Sequence, residues 1–135
     1  MNPLSFVAIG AGATLGAWGR WWLSAQLNPL FPTLPLGTLA ANLIGSYVIG
    51  LAVALINLDL GLSPQARLFL MTGFCGGLTT FSTFSAETFT LLQRGQFAWG
   101  FGEIAIHVSG SLMATALGVL SIRFIAMLAT GGNAT

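Results

Sequence analysis

The chain has 135 residues, 55% of them hydrophobic and only 5% charged, whereas a soluble domain carries roughly 25% charged residues. Four arginines and three acids cannot cover a water-facing surface, because contiguous apolar patches are association sites, so the composition excludes a soluble globule and makes lipid the solvent. The formal net charge of +1, with no lysine, provides no basic stripe to neutralise phosphates and excludes nucleic-acid binding.

No Asp, Glu, Lys or Arg occurs within residues 1–19, 21–58, 68–86 or 104–122. One helical span needs about 20 apolar residues, so the pattern predicts an all-α membrane protein with helices near 3–25, 36–57, 65–93 with an interruption, and 98–125. Residues 1–128 form a single four-helix transmembrane domain, and 129–135 read as a disordered tail. The first segment lacks a basic start and a small-residue cleavage site, so it is expected to stay as a span. Gly10, Gly12, Ala13, Gly16, Ala17 and Gly19 crowd it, a composition that lets helix backbones approach closely where water drives nothing together. Trp18, Trp21, Trp22 and Trp99 fall toward one side, as interfacial anchors do. Gln26, Asn28, Pro29, Pro32 and Pro35 interrupt helix and mark a connecting loop.

In the second helix Gly37, Ala41 and Gly45 recur every four residues, and beside them Asn42, Ser46 and Gly50 make a polar stripe. Asn42 reads equally as an interhelical bond or as a functional amide, because an amide at membrane depth needs outside partners. The third segment contains Gly73-Phe74-Cys75-Gly76-Gly77-Leu78-Thr79-Thr80-Phe81-Ser82-Thr83-Phe84-Ser85-Ala86-Glu87. A glycine pair followed by two threonines suits a broken helix with a hydroxyl cap on its second half, which frees carbonyls for a cation and amides for an anion. Seven of the twelve residues 79–90 are Ser or Thr. Phe81 and Phe84 share a face, where aromatic edges carry partial positive charge. The lone Cys75 reads as a packing residue. Glu87 is expected to pair with Arg94, Arg20 or neighbouring hydroxyls. In the fourth helix Gly102, Gly110, Ala114 and Gly118 form a small-residue stripe, and His107, Ser111 and Thr115 a polar one. No cluster supports metalloenzyme or triad chemistry, so an enzyme is not expected.

Arg67 and Arg123 fall on the side of the N-terminus and Arg20 and Arg94 on the other. Orientation follows the excess of positive residues on the cytoplasmic side, so two against two predicts insertion in both orientations, with oppositely inserted copies pairing.

These residues resemble the small bacterial fluoride channels called Fluc or CrcB, over roughly residues 5–125. The likeness rests on Gly16 to Arg20, on Gly37-Thr38 with Asn42 and Gly45, and above all on Gly76 to Phe84. It implies an antiparallel dual-topology homodimer with two pores in the bacterial inner membrane, passing trapped cytoplasmic fluoride outward passively and so conferring resistance. It implies that Phe81 and Phe84 line the path with ring edges, that Asn42 is an amide donor, and that Ser82, Thr83, Ser85, Ser111 and Thr115 continue a polar track. Arg20 would stand at the vestibule, and carbonyls of Gly76 and Thr79 from both chains would hold a structural sodium ion. His107 is expected to be structural. The rival class, a small multidrug or guanidinium exporter, needs a carboxylate in the first helix, and that helix has none.

Overall fold

The computed structural model describes residues 2–131, and every regular element among them is helical. Helix α1 (Pro3–Leu27) starts on an Asn2 cap, whose side-chain oxygen accepts from the Leu4 amide at 3.0 Å, with proline in the first turn where a missing N–H costs nothing. A 3-10 turn (Asn28–Leu30) leads to α2 (Leu36–Asn57). Pro35 cannot cap α2 with a side chain, and Asn28 caps it from across the loop. Its Oδ1 accepts from the amides of Gly37 at 2.7 Å and Thr38 at 3.3 Å, two of the donors a helix start leaves free.

After a turn with Asp59 at φ 52° and Gly61 at φ 79°, α3 (Pro64–Arg67) begins on a Ser63 cap. It continues into a π-helical stretch (Leu68–Cys75) and α4 (Gly76–Leu78). The glycine pair expected to interrupt the helix is itself helical. The next two residues are extended, Thr79 at φ −78°, ψ 156° and Thr80 at φ −150°, ψ 115°. Helix α5 (Phe81–Gln93) follows at once, capped by Thr80, whose hydroxyl accepts from the Thr83 amide at 3.1 Å. Gly95 at φ 72° turns the chain into α6 (Phe97–Gly131), which runs past the expected end at 125. It takes in residues 129–131 of the segment read as a tail, while 132–135 lie outside the described residues.

Helices α2 and α6 are long and apolar enough to cross a membrane, with mean hydropathies of 2.1 and 2.0. Much of the surface is apolar, including Leu4, Trp21, Phe101, Leu112 and Phe124. Trp18, Trp21 and Trp22 near the end of α1 and Trp99 at the start of α6 are all exposed, and Trp99 meets Phe31 of the α1–α2 loop at 5.6 Å between ring centroids.

Backbone contact at glycine holds the helices together. On one side α1 lies on the π-helical stretch and α4. A Cβ on Gly16 would stand 2.7 Å from the Leu78 nitrogen, and one on Gly73 would stand 2.7 Å from the Ile9 carbonyl. On the other side Gly50 of α2 and Gly118 of α6 face each other, and a Cβ on either would sit 3.0 Å from the other's Cα. Gly12 and Gly16 of the first helix, Gly37 and Gly45 of the second and Gly110 and Gly118 of the fourth are thus used within the chain, while Gly10 and Gly102 meet nothing within 4 Å.

Gly118→Ala should therefore fail to keep α2 against α6, since the added methyl meets backbone that cannot swing aside; overpacking of this kind costs about 1–3 kcal/mol. Gly102→Ala, in the same helix with nothing within 4 Å of its Cβ position, should leave stability unchanged or raise it by up to about 1 kcal/mol. Thermal unfolding of both variants in detergent checks this, and equal melting temperatures would contradict the packing.

Candidate functional site

The α2–α6 seam sets the two polar stripes side by side, because residues four apart project from one face of a helix. Asn42 and Ser46 of α2 meet His107, Ser111 and Thr115 of α6 along the wall of a groove of about 540 Å³. Cys75, Gly76, Thr79 and Thr80 supply its other wall, and Phe81 and Phe84 of α5 stand at its side.

Asn42 is the most constrained of these side chains. Its Oδ1 accepts from the Thr80 amide at 2.7 Å, and its Nδ2 donates to the Thr80 carbonyl at 3.2 Å. One side-chain amide thus satisfies both backbone groups of an extended residue. The same Nδ2 lies 3.2 Å from His107 Nδ1. Phe81 and Phe84 pack edge to face, their centroids 5.5 Å apart and planes at 61°. Phe84 is buried at 8% exposure while Phe81 is 79% exposed. His107 continues the aromatic series, its ring 4.6 Å from Phe84 with 30° between planes.

Of the predicted track residues, Ser111 and Thr115 line the groove with Asn42, Phe81 and Phe84. The Thr115 hydroxyl donates to the carbonyls of Ser46 at 3.1 Å and Ser111 at 3.0 Å. Ser82, Thr83 and Ser85 stand outside the groove. Ser82 and Thr83 are exposed beside the cap, where Thr80 Oγ1 donates to Thr83 Oγ1 at 2.9 Å, and Ser85 donates back to the Phe81 carbonyl at 2.8 Å. Gly76 and Thr79 also line the groove. The Thr79 carbonyl accepts from Arg20 Nη1 at a long 3.4 Å, which puts Arg20 beside the extended pair.

Toward the start of α2 the polar file continues with acids. Thr38 donates to Glu87 Oε1 at 2.7 Å, so the hydroxyl alternative, not an arginine, is what Glu87 meets in the structure. Thr88 donates to Glu103 Oε2 at 3.0 Å, and Glu103 is fully buried. Glu87 and Arg94 also border a smaller hollow of about 260 Å³. Among the described residues, Glu87 Oε2, Glu103 Oε1 and His107 Nε2 are buried without a hydrogen-bond partner. Glu103 escaped the sequence reading because it ends a charge-free stretch and so looks like a flank. Its spacing of four from His107 was the signal, since it extends the Thr115, Ser111, His107 stripe by one turn.

The same segments carry the likeness to known proteins. A family profile described as CrcB-like protein, Camphor Resistance (CrcB), matches residues 7–119. The Fluoride-specific ion channel FluC of Nitrosospira multiformis is 60% identical, over 93% of this chain and 98% of its own length. The FluC of Pseudomonas putida strain W619 is 60% identical over 90% of this chain and 95% of its own, and that of Cupriavidus metallidurans is 51% identical over 93% of this chain and 100% of its own. With a match that takes in α2, the extended threonines, both phenylalanines and the α6 stripe, the chain belongs to the CrcB family.

Proposed function

We propose that this protein is a fluoride-selective channel of the bacterial inner membrane that lets cytoplasmic fluoride leave passively. One observation carries the reading. The edge-to-face pair Phe81 and Phe84, hydroxyls of α2 and α6 and the Asn42 amide converge on one groove, in a chain about 60% identical to relatives named as fluoride-specific ion channels. Fluoride is small and tightly hydrated, so a pore must replace its water with hydrogen bonds and ring edges, each weak enough to release the ion. A buried full positive charge would hold the ion, and none lies in the groove wall.

In this reading α3, the π-helical stretch, α4 and α5 form one interrupted span, and the active unit is an antiparallel homodimer of oppositely inserted copies. The exposure of Phe81, a groove open along one face of the chain, and the arginines divided two against two support a second copy as the opposing wall. Arg20 stands at the vestibule, and Ser82, Thr83 and Ser85 face the approach to the path. For the sodium ion that the resemblance implies, the ligands are the Gly76 and Thr79 carbonyls of both copies. The Gly76 carbonyl fits such an ion, whereas the Thr79 carbonyl already accepts from Arg20 Nη1 and would have to share its second lone pair. The Thr80 amide is turned to Asn42, which leaves the Gly76 carbonyl without the donor that a continuous helix would give it, and Gly76 has no side chain to block approach. When bound, the ion supplies a fixed charge shared by the two chains.

Fluoride efflux from liposomes holding the purified protein tests the function. Rapid efflux of fluoride beside none of chloride is expected, and absence of fluoride efflux from an assembled dimer would overturn it. Phe81→Ile and Phe84→Ile keep bulk and remove the ring edge, so each should lower fluoride efflux by about tenfold or more, a barrier increase of roughly 1.4 kcal/mol. Unchanged rates in both variants would reject the ring-edge role. Reporters fused to the C-terminus should register on both faces of the membrane, and a single orientation would remove the antiparallel dimer.

A further inference from the structure

Arg20 is a half-buried guanidinium with no acid to neutralise it. Of the chain's three acids, Glu87 and Glu103 bond to Thr38 and Thr88, and Asp59 lies in the turn after α2. The one hydrogen-bond partner of Arg20 among the described residues is the Thr79 carbonyl, 3.4 Å from Nη1. Glycine contact delivers the side chain there. Gly16, one turn before Arg20 on the same face of α1, lies against the backbone of Leu78, so the next turn of α1 comes level with Thr79.

The oxygen that Arg20 meets belongs to an electronegative end of a helix. Helical structure runs from Pro64 to Leu78 and stops, and the carbonyl end of a helix carries about half a negative charge, which favours a cation near its last turn. The carbonyls there have lost their helical donors. The Thr80 amide, which a continuous helix would turn to the Gly76 carbonyl, goes to Asn42, and the Thr83 amide, which would serve the Thr79 carbonyl, goes to the Thr80 hydroxyl. Arg20 answers this negative end with a positive charge from another helix.

We propose that Arg20 is the chain's own cation at the Thr79 carbonyl and that it yields this oxygen when a sodium ion binds, so that guanidinium and ion compete. The assignment rests on the proposed sodium site and deepens it. A carbonyl has a second lone pair, yet two positive charges held on one oxygen repel each other strongly where the effective dielectric constant is low. A displaced Arg20 has no acid to return to, and its charge is left facing the vestibule. Occupancy of the cation site thereby sets how much positive charge an approaching anion meets.

Thermal unfolding of the full-length protein in detergent, with sodium chloride replacing choline chloride at constant ionic strength, reads the competition. Sodium should raise the melting temperature of the parent protein, since a ligand held only by the folded state stabilises it. Arg20→Gln keeps a hydrogen-bond donor and removes the charge, so the sodium concentration giving half of the rise should fall by about tenfold or more. Arg20→Lys keeps the charge and should stay near the parent value. In nitrogen NMR of the parent protein labelled at arginine, the guanidinium signal that is missing from Arg20→Lys should shift with sodium and hold still with choline. An unchanged or raised half-point in Arg20→Gln would overturn the inference. So would an Arg20 signal that ignores sodium while the melting temperature responds to it. Either result leaves the sodium site standing, whereas a melting temperature indifferent to sodium in the parent and both variants refutes that site and the competition with it.

Discussion

Two extended residues in the middle of a helical membrane protein are the constraint around which the rest is arranged. Thr79 and Thr80 leave the helix, and backbone N–H and C=O groups that leave a helix at membrane depth have no water to turn to. The Thr80 amide and carbonyl both go to Asn42, the Thr80 hydroxyl takes the Thr83 amide, and the Thr79 amide returns to the Cys75 carbonyl at 2.9 Å. Every donor of Thr79 and Thr80 therefore has a named partner. A hydrocarbon side chain at position 42 would orphan two backbone groups at once, at about 1–3 kcal/mol for each buried group.

This clamp works only if α2 reaches the interruption, and the glycine contacts bring it there. Gly45, one turn after Asn42, has the Thr79 methyl where its own Cβ would be, so the helix passes directly over the extended pair. On its opposite side Gly50 meets Gly118, which draws α6 in and sets His107 against Asn42. Meanwhile Gly12 and Gly16 of α1 press on the π-helical stretch and α4 from behind. The interrupted segment is thereby held between two helices by backbone contact, a geometry in which small shifts of any helix would pull the Asn42 bonds out of range.

Much of this was legible in the residues. Spacing by four placed Asn42 and Ser46 on one polar stripe and His107, Ser111 and Thr115 on another, and the structure joins the two in one groove. The glycine density announced close packing. What periodicity could not tell was which backbone groups the polar residues would serve. Gly76-Gly77 has the composition of a break yet stays helical, because the extended geometry is stabilised where Asn42 can reach it, at Thr80. The run of hydroxyls after it looked like one track, but α5 turns Ser82 and Thr83 outward and leaves Ser85 bonded to its own helix. The π-helical turn from Leu68 to Cys75 has no sequence period of its own, and Glu103 was hidden by its position at the edge of a charge-free run.

The hydrogen-bond inventory also narrows how an anion would travel here. A hydroxyl has one hydrogen, and Thr115 shares its own between two carbonyls, so toward the groove it presents lone pairs that an anion avoids. One hydrogen of the Asn42 amide goes to the Thr80 carbonyl. The donors that remain on the wall are few and of modest strength: the Ser46 and Ser111 hydroxyls and the edges of Phe81 and Phe84. Such a series replaces a hydration shell piece by piece without forming a deep well, which is the condition for an ion to enter and also to leave. A larger, softer anion would gain less from each of these small contacts while displacing the same packed aromatic rings. In the proposed channel, selectivity and throughput would come from the same sparse set of donors, which the backbone interruption clamped by Asn42 keeps aligned.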